Sequence, residues 1–123
     1  MKYKNFEELQ CWQDARKLVK DIYDLAGKND ILKRDFGFRD QIQRAAISIM
    51  NNIAEGFDTG SSNSFVRFLG YSQASCSEVQ SMLYVASDVG YVSQEEFKNL
   101  CGLTLPVRKQ IKGFIKYLRN KAN

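Results

Sequence analysis

The segment Gln41–Gly56, QIQRAAISIMNNIAEG, carries two stripes at one helical spacing, and no other segment constrains the fold as tightly. At about 100° per residue, Ile42, Ala45, Ala46, Ile49 and Ile53 fall on one apolar face. Gln41, Arg44, Ser48, Asn52 and Glu55 keep the same rhythm and form a narrow polar ridge beside it. A helix that only buries one side has no need of hydrogen-bonding groups in register, so something must satisfy that ridge.

The helical period recurs along the whole chain. A first helix is predicted over about 6–26, from Phe6, Leu9, Trp12, Ala15, Leu18, Val19, Ile22 and Leu25, with Asn5 and Glu8 as a capping box and Gly27 as its end. A polar, basic linker follows, with Ile31 and Leu32 tucked against the bundle. The second helix spans about 38–55 and is closed by Gly56; the turn-rich loop DTGSSNS comes next. The third covers about 64–89, turns Phe65, Phe68, Leu69, Ser72, Cys76, Val79, Leu83 and Ala86 inward, and stops at Gly90. The last, about 94–120, opens on a Ser93/Glu96 capping box and carries Phe97, Leu100, Cys101, Thr104, Val107, Ile111, Phe114, Ile115 and Leu118 inward; Pro106 within it predicts a kink. No strand-like alternation interrupts this pattern. Four helices on short loops in 123 residues predict one all-α domain over 1–123, an antiparallel up-and-down four-helix bundle.

The usual catalytic equipment is missing. The chain has no histidine, no closely spaced cysteine pair and no glycine-rich phosphate loop. Glu7–Glu8 and Glu95–Glu96 sit at helix N-termini, where they complement the helix dipole. Cys11, Cys76 and Cys101 read as small buried hydrophobes in a reducing compartment. The expectation is a protein that is not an enzyme, with no metal, no cofactor and no small-molecule substrate. The first residues lack a signal-peptide core and no run approaches membrane-spanning length, which predicts a cytoplasmic protein without a membrane partner.

Charge is unevenly placed. The chain has a net charge of +4, yet from Lys98 onward there are seven cations and no acid, so the remainder is net negative. Lys98, Arg108, Lys109, Lys112, Lys116 and Arg119 lie within one arc of the last helix and are the candidate nucleic-acid contacts. The alternative for this stripe is a solvated face favoured by the helix C-terminus. Tyr117 flanks it as a stacking partner, while Phe114 reads as core. For the polar ridge, Ser72, Ser75 and Glu78 of the third helix offer matching groups. Antiparallel neighbours would set Arg44 against Glu78 as a partly buried pair fixing register or a subunit contact, with Asn52 nearer Ser72 and Ser75.

At these residues the chain resembles the four-helix-bundle proteins encoded in intervening sequences of bacterial 23S (large-subunit) ribosomal RNA genes. The resemblance rests on Phe6, Leu9, Trp12 and Ala15; on Gln41, Arg44–Ala46, Ser48, Ile49 and Asn52–Gly56; and on Phe65, Phe68, Leu69, Ser75, Glu78 and the Gly90–Tyr91 turn. It implies a left-handed up-and-down bundle that assembles as a homo-oligomer, a pentamer, and a relationship to the accessory variability proteins of diversity-generating retroelements. Those are basic pentameric bundles that bind reverse transcriptase and nucleic acid. The chain departs from the family pattern at Ser72, Ala74 and Pro106, and has Asp58 and Thr59 where basic residues often follow the Glu-Gly motif. The expected function is RNA binding, with ribosomal RNA as the target, through the basic last helix of an oligomer. The alternative is a protein-interaction adaptor docking on an acidic partner or a reverse transcriptase.

Overall fold

The computed structural model describes residues 2–122. A single 3-10 turn, Phe6–Glu8, leads into α1 (Gln10–Lys28), α2 (Asp30–Arg34), α3 (Phe36–Asp58), α4 (Ser62–Asp88) and α5 (Gln94–Ala122). The four long helices form a closed cycle in which α1 packs on α3, α3 on α4, α4 on α5 and α5 on α1. Their direction follows from cross-helix pairs. As residue number rises on α3 it falls on α4: Gln41 meets Glu78, Ser48 meets Ser75 and Ile49 meets Ser72. The all-α bundle is therefore the observed architecture.

The core is what the apolar period predicts. Leu18, Ile22, Ile49, Ile53, Leu69, Val79, Leu83, Val107, Ile111 and Leu118 are all sealed from solvent. Full burial of side chains of this size stabilises by about 1.5–3 kcal/mol each before conformational entropy is charged against it.

Several helix ends differ from the sequence expectation. The first helix does not run through from residue 6. Leu9 is extended (φ −75°, ψ 127°) and only 2% exposed, so the chain bends there to drop Leu9 into the core. The Glu8 half of the capping box is present, its carboxylate accepting from the Asn5 and Lys4 amides. Gly27 lies within α1 and does not end it.

The linker is partly helical. Asn29 Oδ1 accepts from the Leu32 amide and starts α2; Leu32 is buried as expected, whereas Ile31 is 67% exposed. Asp35 Oδ1 then caps α3 by accepting from the Phe38 amide at 3.1 Å, so α3 begins at Phe36. Gly56 is not a stop, because α3 continues to Asp58. It is a close-packing position: a Cβ there would come within 2.7 Å of Phe68 Cβ and 2.9 Å of Phe65 Cδ1.

The other two punctuators act as read. Gly90 adopts φ +81° after α4, and Ser93 Oγ accepts from the Glu96 amide while the Glu96 carboxylate accepts from the Ser93 amide. α5 runs on across Pro106 as one element. No helix among the described residues is long and apolar enough to cross a membrane.

Candidate nucleic-acid interface

The inward face of α5 is set by Leu100, Thr104, Val107, Ile111, Ile115 and Leu118, all buried. Every cation of the stripe is therefore turned outward. Lys98, Arg108, Lys109, Lys112, Lys116 and Arg119 are exposed. They divide into two groups. Lys109, Lys112, Lys116 and Arg119 line one groove of about 650 Å³ between α4 and α5, together with Val66, Gly70, Gln73, Gly113, Ile115 and Asn120. Lys98 and Arg108 lie outside it. Arg108 instead lies close enough to Cys76 for its charge to oppose part of that thiol's upward shift.

Three properties suit the groove to a polyanion. Among the described residues, four cations line it and no carboxylate does. Its α4 wall is neutral, since Val66, Gly70 and Gln73 contribute no charge. Gly70 and Gly113 widen it, because a Cβ at either would meet nothing within 4 Å. Cations along a groove of low polarity focus the field on a passing phosphate chain. The α4 half of this site was not read from the sequence. The signal was present in Gly70 and Gly113, helix-interior glycines with no turn to make.

The polar ridge of α3 separates into a satisfied centre and open ends. Asn52 Nδ2 donates to the Ser48 carbonyl and to Ser48 Oγ, both at 2.9 Å, and Ser75 Oγ donates to Ser48 Oγ at 2.9 Å. Ser72, fully buried, donates to the Ile49 carbonyl at 2.7 Å. The expected Arg44–Glu78 pair is not formed. Glu78 Oε2 accepts from Gln41 Nε2 at 3.2 Å, and both Arg44 and Glu78 are exposed. Solvation explains the difference: two exposed side chains give up little by staying hydrated. Gln41, Arg44 and Glu55 form the exposed ends of the ridge.

Residues 7–113 match the family model described as 23S rRNA-intervening sequence protein. No curated protein matches the chain. Among solved structures, the chain is similar to the crystal structure of a protein of unknown function from the S23 ribosomal protein family of Bacteroides thetaiotaomicron. The TM-score is 0.80 at 20% identity, covering 86% of this chain and 95% of that one. At that identity the likeness shows a shared fold.

Proposed function

We propose a function for this chain from one established fact: it belongs to the 23S rRNA-intervening sequence protein family. The chain is a non-enzymatic bundle that binds RNA along the groove between α4 and α5. One observation carries this reading, the convergence of Lys109, Lys112, Lys116 and Arg119 on a groove where the described residues place no carboxylate. A solvated stripe would only need to point outward; these four also share a concave surface with a neutral opposite wall. Ribosomal RNA is the target proposed; the family description names 23S rRNA.

The test is charge reversal with a matched control. Lys112→Glu with Lys116→Glu should strongly weaken, without abolishing, binding of a labelled RNA oligomer in low salt. Lys17→Glu with Lys33→Glu, exposed sites on other elements, should leave it nearly intact. Equal losses in both pairs would reduce the effect to net charge and defeat the groove assignment. An adaptor docking on an acidic protein would use the same cations but would show no RNA binding in the unmodified chain.

Self-association is part of the proposal, and the α3–α4 face is where it would fall. Tyr71, Glu78 and Val85, spaced seven residues apart, lie on one side of α4, and Tyr71, Val85 and Val89 are exposed large hydrophobics. Light scattering of the wild type and of Tyr71→Glu with Val85→Glu tests it; a monomeric wild type would remove it.

A further inference from the structure

The last turns of α5 separate the basic groove from a second, unlike cleft. Lys2, Tyr3, Gln110, Phe114, Tyr117 and Lys121 line an open cleft of about 730 Å³ between the N-terminal segment and α5. Its walls are aromatic. Tyr117 is 51% exposed and meets Phe114 edge-on at 6.2 Å, while Phe114 packs edge-on against the buried Phe65 at 5.1 Å. Tyr117 is thus an open ring fixed on a ring that is itself anchored in the core. The ammonium groups of Lys121 and Lys2 lie 5.9 Å and 5.7 Å from the ring centroids of Tyr117 and Tyr3. Among the described residues, no carboxylate lines the cleft. Asp14, at its edge, is engaged by the Gln110 and Gln10 side-chain amides at 2.8 Å and 2.9 Å.

Lys116 of the groove directly precedes Tyr117 of the cleft, so the two surfaces occupy adjacent sides of the same helical turns. A helix with its side chains is only about 10–12 Å across, within reach of one strand passing over α5. Paired bases in a duplex are stacked on one another and offer no face to a ring. An unpaired base does, and aromatic stacking beside a cationic track is how single strands are held without sequence readout.

We infer that the Tyr117 cleft takes an unpaired base of the same RNA strand whose phosphates lie against Lys112, Lys116 and Arg119, which makes the ligand single-stranded RNA. The inference rests on the RNA reading above and narrows it. Tyr117 supplies the ring face away from the Lys121 ammonium as the stacking face, Phe114 and Tyr3 bound the slot, and Lys121 and Lys2, over the rings of Tyr117 and Tyr3, add charge.

The experiment compares the wild type, Tyr117→Ala and Tyr117→Phe with three probes: a single-stranded RNA oligomer, a fully paired hairpin of equal phosphate number, and inorganic polyphosphate. Tyr117→Ala should weaken the single strand by about 5- to 150-fold, the range expected for one lost base–aromatic stack. It should leave hairpin and polyphosphate binding within about twofold, with unchanged helical circular dichroism, and Tyr117→Phe should retain wild-type affinity. Losing all three probes equally, or none of them, would overturn the stacking role while leaving the groove in place. If the wild type binds neither RNA nor polyphosphate, the groove reading falls first and this inference falls with it.

Discussion

The Tyr91 hydroxyl donates to Asp35 Oδ2 at 2.6 Å, tying the turn between α4 and α5 to the start of α3 across 56 residues of chain. The same tyrosine is held twice more: its carbonyl accepts from Asn29 Nδ2 at 3.1 Å, and its ring meets Phe38 edge-on at 5.3 Å. The hydroxyl bond, helped by the Phe38 amide, holds the Asp35 carboxyl below the usual carboxylate range. Its partner effect raises the Tyr91 hydroxyl above its ordinary value.

These shifts fix the sign of a pH dependence. A depressed Asp35 contributes stability above its unfolded value of about 3.9 and loses it as pH falls through the folded value. A raised Tyr91 contributes below about pH 10 and loses it as pH rises through its own folded value. The difference in melting temperature between wild type and Tyr91→Phe should therefore be largest between about pH 5 and 9 and narrow on both sides. A difference that stays flat from pH 3 to 11 would show that the bond is not the cause.

Gly56 and Gly102 should respond oppositely to alanine. At Gly56 the new methyl would collide with Phe68 and Phe65, an overpacking cost of about 1–3 kcal/mol. At Gly102, inside α5 with nothing within 4 Å, alanine should stabilise by about 0.5–1 kcal/mol through backbone entropy. Urea titration of the two variants checks both signs.

A double-mutant cycle on Ser48→Ala and Ser75→Ala should show coupling of about 0.5–1 kcal/mol, because Ser48 Oγ is shared by Ser75 and Asn52. The parallel cycle on Arg44→Ala and Glu78→Ala should be additive within about 0.3–0.5 kcal/mol, since both groups are exposed and unpaired with each other.

Thiol chemistry should be selective. Burial pushes Cys11 up to about 11 and Cys76 up to about 12, while Cys101 is only half-buried, with Gln80 Nε2 3.2 Å from its sulfur. Alkylation at pH 8 should modify Cys101 first in the native state and all three cysteines in denaturant. Rapid native modification of Cys76 would mean that the α4–α5 contact opens readily.

These contrasts show what the sequence could and could not carry. The apolar period placed all four long helices, because a stripe such as Ile42–Ile49–Ile53 has only one way to be buried. Local punctuation was less dependable. Gly56 reads as a stop from its neighbours, and only Phe65 and Phe68, brought in by α4, reveal it as a packing site. Leu9 fits the helical rhythm, yet burying it takes an extended residue that periodicity does not encode. The basic stripe was legible as a run of like charge on α5. Its division was not, since Gly70 and Gln73 on another helix decide which cations share a groove. Arg44 and Glu78 had compatible charge and register, and exposure kept them apart.

If four α5 cations act together on the phosphates of one RNA strand, the salt dependence of binding measures that number directly. For a single strand, log K falls against log salt with a slope near −0.7 per neutralised phosphate, so four contacts predict a slope of about −3. Lys112→Glu with Lys116→Glu should flatten that slope by at least about 1.4 while the helical signal stays unchanged. A wild-type slope near zero, or one that the two substitutions leave untouched, would contradict the account.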